Sequence, residues 1–287
     1  MKTAGSNEEV IATFLEAWDM SVFHPVVLKV GKADIPDSEK QSIYTTLIAY
    51  VLRRELAGLT RKNYNKNASS ILKAFEENEI SNAALLEWFD GLTGDGSRMP
   101  SDGDVAKGIE VQPHYKLPKP KLRYLFKHIE MELRTNRQED SPLSTEGLHI
   151  EHILPSSWHE HWPLKSGNDV LGSTQEEHIK NGGELLSQTV IEEMERRQKL
   201  KNTLGNLTIL TSSLNPSIGN LGWEIKSGDK GLGDSLLQIN KQIVRTAQWK
   251  DHFEITDPEQ TGWDEDLILA RSKTLSRVIN VLWPIGY

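Results

Sequence analysis

Two short apolar runs interrupt an otherwise helical pattern, and they restrict this chain to a mainly helical fold with one small sheet. LHIEHIL (148–154) is closed by Pro155, and GNLTIL (205–210) lies between Gly205 and a Ser212–Ser213 turn. Both read as strands. Elsewhere apolar residues recur at spacings of three and four, the signature of one helical face. In 8–18, Val10, Ile11, Phe14, Leu15 and Trp18 share a face. A second helix starting near Pro36, with Asp37 or Ser38 in its first turn, carries Ile43, Leu47, Tyr50, Val51 and Leu52 towards Leu56, with Gly58 as its stop. Stretches 64–77 and 82–89 predict two shorter helices. In 117–134 a helix resumes after Pro120, with Leu122, Leu125, Phe126, Ile129 and Leu133 on one side. A charged helix is expected over 185–200. A long one over 263–283 is expected to pack on the sheet. The Gly-, Ser- and Asp-rich 91–108 reads as loop with room for one helical turn. The polar, turn-rich 135–147 is the expected boundary between a helical module, 1–136, and a second domain, 137–287.

Composition narrows the chemistry. The chain has 287 residues, no cysteine and a formal net charge of −8. Without thiols, any metal must be held by His, Asp, Glu or Asn. The acidic balance argues against a general nucleic-acid coat protein, although a nuclease needs only a local basic strip. Two such strips exist: Lys116, Lys119, Lys121, Arg123 and Lys127 with no acid among them, and Arg196, Arg197, Lys199 and Lys201. Each taken singly reads more simply as a solvated helix face. No apolar run approaches the ~20 residues that span a bilayer. The N-terminal residues show no signal-peptide core, so a cytoplasmic location is expected.

The chemistry is concentrated where the first strand ends. Glu151 offers a hard anionic oxygen suited to Mg²⁺ or Mn²⁺. His152 follows it, and on an extended backbone its side chain points to the opposite side. An imidazole near its unperturbed pKa of ~6.5 is a competent general base at cellular pH. Asn215, after the second strand, could add a neutral oxygen to the ion.

These two segments, EHILP and NLTILTSSLN, resemble the halves of an HNH (ββα-metal) nuclease site. More narrowly, IEHILP…W, LGNLTILT…LN and a late set of Trp263, Ile268, Arg271, Leu275 and Trp283 resemble the C-terminal domain of GmrSD-type modification-dependent restriction enzymes and of related phosphorothioate-sensing Ssp defence effectors. AYVLRRELAGLTRKNYNK (49–66) and KLRYLFKHIE (121–130) resemble the helical segment preceding that domain. The resemblance implies an N-terminal helical module followed by an HNH domain with added helices. It also implies a metal-dependent DNA endonuclease serving restriction and antiviral defence. It makes Glu151 the acidic metal ligand, His152 the general base, Asn206 the residue fixing the base-bearing loop, and Asn215 the last ligand, with Mg²⁺ (or Mn²⁺) as cofactor. Ser156 departs from the Gln that many relatives carry after the proline. The nucleotide-hydrolysing ParB-like half that usually precedes this domain is expected as a separate domain or subunit. DNA, modified or not, is the expected partner, with a homodimer as a further one and no membrane.

Other residues attract competing readings. Lys226 and Asn220, beyond the second strand, are candidates for phosphate contact together with Arg196 and Arg197, although solvated side chains are the default. His149 shares the strand face of Glu151. His159 and His161 invite a zinc site, but Trp158 and Trp162 beside them favour a loop packed on aromatics. Arg53 and Arg54 either line a groove or end a helix. The alternative to an enzyme is a non-catalytic DNA-binding or interaction module; RNA is a weaker substrate because no aromatic sheet platform is evident.

Overall fold

Helix starts follow the capping residues the sequence supplies. In a computed structural model, which describes residues 6–134, 147–167, 169–211, 219–228, 231–244 and 262–286, helix α1 (Asn7–Trp18) opens on a capping box. Ser6 accepts from the Glu9 amide, and Glu9 reaches back to the Ser6 amide. α2 (His24–Gly31) carries Pro25 in its first turn. α3 (Asp37–Leu56) follows Pro36, and the chain leaves it through Gly58 at φ 73°. α4 (Tyr64–Glu77), α5 (Asn82–Asp90) and α6 (Asp102–Val111) come next. By backbone contacts the chain separates into two units, Met1–Gly108 with Ser276–Tyr287, and Ile109–Leu275. The sequence-based boundary at 136/137 falls in residues 135–146, outside the described residues.

In the first unit α3 is buried nearly all round, from Ile43 and Tyr44 through Tyr50, Val51 and Leu52 to Leu56. Its two arginines settle the choice left open by the sequence: both are fully buried within this unit. The Arg53 guanidinium donates to the carbonyls of Pro100 and Trp283, to Asn280 and to Asp102. Arg54 donates to the carbonyls of Arg98, Thr60 and Asp95 while lying over the rings of Tyr50 and Tyr64. Their planar forks hold irregular backbone that has no ladder of its own. Helix α6 is longer than the single helical turn that the loop-like 91–108 allowed. Gly108 sits there because a Cβ would fall 2.2 Å from the Leu56 carbonyl oxygen; it serves close approach of two backbones.

The second unit is built on α7 (Lys119–Leu133), β1 (Leu148–His152), α8 (Gln175–Lys180), α9 (Gln188–Leu200), β2 (Leu207–Thr211), the five-residue α10 (Trp223–Ser227) and α11 (Gln238–Val244). The C-terminal helix α12 (Glu265–Leu282) contributes its first part to this unit and its remainder to the first. The strands form one antiparallel pair, with Glu151 opposite Thr208 and His152 opposite Leu207. Among the described residues the fold is therefore mainly helical with one small sheet, as the two apolar runs predicted.

Helices α7 and α11 cover that sheet. α7 buries Leu122, Leu125, Phe126 and Ile129, and its Arg123 donates to the Leu148 carbonyl at 2.8 Å. Fully buried Glu130 accepts from the Gln238 and Ile239 amides, so a carboxylate from α7 caps the first turn of α11. Asn240 of α11 donates to the Ile209 carbonyl. The long C-terminal helix, expected over the sheet, holds β2 and the approach to it. Arg271 donates to the Gly205 and Leu207 carbonyls at 2.8 and 2.6 Å. A Cβ on Gly205 would meet the Ile268 carbonyl at 2.2 Å. A core of Ile153, Leu154, Trp158, Met194, Leu210, Trp263 and Ile268 closes behind the strand ends.

Acid stability tests this packing. His128, on α7, is buried with Nδ1 2.8 Å from the Tyr124 carbonyl. Burial pushes its pKa down to about 4, Lys127 lowers it further and the carbonyl contact opposes both. The unfolded chain takes up a proton near pH 6.5 while the folded chain stays neutral. The contribution is thus complete above pH 6.5 and lost as pH falls towards 4. His128→Leu should flatten the pH dependence of urea unfolding in that window by on the order of 3 kcal/mol. An unchanged pH dependence would discard the assignment.

Candidate active site

The end of β1 is held by a single side chain. Asn206, the residue before β2, is fully buried, and its amide group satisfies four partners. Its Oδ1 accepts from the Leu154 amide at 2.8 Å and from the Trp263 indole at 3.1 Å. Its Nδ2 donates to the Leu154 and Lys201 carbonyls, each at 2.8 Å. The Asn206 carbonyl also accepts from the Ile153 amide at 2.9 Å. The chain just past Glu151 and His152 is therefore fixed to the turn at 201–206.

His152 is 8 % exposed. Its Nε2 lies 3.1 Å from Asn202 Oδ1, and its ring lies against Tyr115 with centroids 4.1 Å apart. The carbonyl of the same Asn202 accepts from the Tyr115 amide, so one residue orients both rings. With Asn202 Oδ1 as acceptor, Nε2 carries the proton and Nδ1 keeps the lone pair. Burial pushes the imidazole pKa down to about 4; the Asn202 contact opposes this, while Lys226, Lys119 and Lys201 add to it. The near-normal pKa expected from sequence does not hold, because the ring is desolvated, and three nearby ammonium charges add to that effect.

Glu151 is less buried, at 20 % side-chain exposure. Its Oε1 pairs with Lys226 Nζ at 3.1 Å, whereas its Oε2 has no hydrogen bond or ion pair among the described residues. Lys226 corrects an expectation. Instead of facing solvent as a phosphate contact, it is 1 % exposed and donates to Glu151 and to the carbonyls of His152 and Ile153 at 2.6 and 3.1 Å. Burial lowers its pKa, and the carboxylate beside it works the other way.

Arg197 is corrected likewise. It is 2 % exposed, paired with Glu265, hydrogen-bonded to the carbonyls of Trp162 and Pro163, and stacked over Trp158 at 4.6 Å. It supports the core and has no charge to offer outward. Arg196 does reach the surface, where it pairs with Asp266, and Asn220 is exposed in a turn. Asn215 lies outside the described residues. His149 is exposed on β1. His159 contacts Ser173 Oγ at 3.0 Å, edge-on to Trp158, in keeping with a packed loop.

Sequence reasoning missed Tyr115, Asn202, Lys119 and Lys201 as neighbours of the imidazole. The Lys119 ammonium sits 3.3 Å from the Tyr115 ring centroid and has no hydrogen-bond partner among the described residues, a cation–π placement. Lys119 belongs to one basic strip and Lys201 to the other. Convergence of the two strips was the available signal.

Residues 99–278 match the family described as GmrSD restriction endonucleases, C-terminal domain. The chain belongs to that family. Neither the comparison with curated proteins nor that with solved structures finds a match. The family is one of restriction endonucleases, which gives this chain a nuclease-type domain. Among the described residues no group of three or more His, Cys, Asp or Glu is arranged to hold a metal. The donor chemistry nevertheless suits a hard cation at one point, the unpaired Oε2 of Glu151. No helix among the described residues is long and apolar enough to cross a membrane.

The clamp on the β1 end makes a stability prediction. Asn206→Ala strands the Leu154 amide and carbonyl and should cost roughly 3–5 kcal/mol in denaturant unfolding. Asn220→Ala, in an exposed turn, should stay within about 0.5 kcal/mol of wild type. A cost below about 1 kcal/mol for Asn206→Ala would remove the amide from this role.

Proposed function

We propose that this chain is a metal-dependent DNA endonuclease of the HNH (ββα-metal) type acting in restriction and antiviral defence. One observation carries the reading: Glu151 and His152 stand side by side at a strand end that the Asn206 amide clamps immediately behind them. A hydrolytic site needs a base and a cation ligand held at fixed separation, and this is a rigid way to hold them.

His152 Nδ1 takes the proton from the attacking water while Nε2–H stays on Asn202. The water oxygen bonds to phosphorus as the bond to the leaving sugar oxygen breaks. The ring is already in its basic form at neutral pH. A phosphate anion arriving beside it strengthens its basicity by favouring the protonated form. Asn206 positions the base-bearing segment. Glu151, with Asn215, would hold Mg²⁺ or Mn²⁺, which when bound neutralises charge on the phosphoryl and leaving oxygens. Lys119 and Lys201 supply cationic charge to the phosphate beside His152, with Arg196 and Asn220 as outer contacts. One such site cuts one strand, so double-strand cleavage calls for a second copy or a second event. Nucleotide control belongs to a partner domain or subunit.

Supercoiled plasmid distinguishes this from a binding module. With Mg²⁺ the protein should nick it, EDTA should abolish nicking, and His152→Ala should lower the rate by at least ~100-fold while remaining folded at the assay temperature by circular dichroism. Plasmid that is retarded but intact, or equal cleavage by wild type and His152→Ala, would sink the proposal.

A further inference from the structure

The least expected group at the site is the Lys226 ammonium, buried between the strand end and Glu151. It is 1 % exposed, and all three of its protons have acceptors: Glu151 Oε1 at 3.1 Å, the His152 carbonyl at 2.6 Å and the Ile153 carbonyl at 3.1 Å. Two of those acceptors are main-chain atoms of the segment that the Asn206 amide already fixes. The ammonium is therefore anchored to backbone that Asn206 holds by hydrogen bonds. Only its third bond reaches a side chain with rotamer freedom.

That third bond decides which way the carboxylate faces. With Oε1 tied to Lys226, the glutamate cannot rotate without breaking a charge-assisted bond, and Oε2 remains without a protein partner among the described residues. Mg²⁺-like cations demand near-ideal octahedral geometry, so the entropy of orienting a ligand weighs heavily in their affinity. A carboxylate with one oxygen held and the other presented is preorganised for such a cation. Bonds to a ligand's remaining atoms commonly orient metal ligands in this way. The short helix α10 carries the lysine, so residues beyond β2 reach back to set a ligand on β1.

We infer that Lys226 is a positioning residue that orients Glu151 and presents its Oε2 to the catalytic cation. This rests on the metal-dependent reading above. The competing idea is that the ammonium occupies the cation's place and must be expelled first. Positive charge so near the carboxylate does oppose a second cation, so the two ideas predict opposite signs. Three satisfied bonds in a buried position favour positioning, since expulsion would leave the His152 and Ile153 carbonyls unpaired.

The test is Mn²⁺ binding, followed by electron paramagnetic resonance of the free ion, on full-length wild type, Lys226→Met, Lys226→Arg and Glu151→Gln. Lys226→Met should weaken Mn²⁺ binding by roughly tenfold or more, and Lys226→Arg should recover part of it. Cleavage by Lys226→Met should rise towards the wild-type rate as Mn²⁺ is increased, whereas His152→Ala should gain nothing. A purely structural lysine would show no such rescue. Unchanged or tighter Mn²⁺ binding by Lys226→Met overturns the inference in favour of competition. Loss of the near-ultraviolet circular dichroism in both lysine variants overturns it in favour of a general structural staple. If Glu151→Gln binds Mn²⁺ as wild type does, the metal reading itself fails, independently of Lys226.

Discussion

The Asn206 amide is the interaction on which the functional half of this structure depends. It bridges segments more than fifty residues apart in sequence, using both faces of one neutral side chain. Few residues could replace it. A carboxylate lacks the donor, and burying its charge would be costly; an apolar residue would leave the Leu154 amide and carbonyl unpaired. Trp263 adds a further bond to the same oxygen from the C-terminal helix region, and Arg271 fixes the backbone on either side of Asn206. The strand pair is only five residues long and could not hold a precise end by its own ladder. Precision comes from this buried polar network, where every satisfied bond raises the cost of displacing any other.

Much of this was legible in sequence because periodicity is a local property. The stretch at 64–77 appears as α4 over the same residues, and the helix expected to start near Pro36 begins at Asp37. The two strands were marked by brief apolar runs with breakers beside them. What failed was composition read without context. The glycines around α6 suggested loop, yet Gly108 is there for close packing against Leu56, a contact no local window contains. His24–Gly31 was passed over because a single short helix offers too few turns for a period to show.

The site divides in the same way. Glu151, His152 and Asn206 were visible because they stand in motifs at fixed spacing. Their neighbours were not. Tyr115 lies in a short 3-10 turn and Asn202 in a turn after a helix, and only the tertiary hydrogen bond between Asn202 and the Tyr115 backbone makes them a pair that holds the imidazole. Charged residues misled in the opposite direction. Arg197 and Lys226 read as solvated cations because most such residues are, yet each is buried with all its bonding directed to carbonyls and a carboxylate. Sequence reports that a cation is present; which way it faces is decided by what must be satisfied in the interior.

On the proposed reading, Lys119 and Lys201, which act on His152, explain how an acidic chain can receive a polyanion. The net charge of −8 is a property of the whole surface, but substrate meets the local field. Around His152 stand Lys119, Lys201 and Lys226, each lowering its basicity, with Glu151 paired to the last of them. Lys226 and Glu151 largely cancel, and what remains beside the imidazole is positive. In a partly desolvated setting two such charges act more strongly than a larger number spread over solvated helix faces. Burial does most to weaken the imidazole as a base, and the lysine field that adds to this also favours an anion beside it. If His152 is the proposed base, an anion beside it offsets that weakening and ties its reactivity to the presence of phosphate.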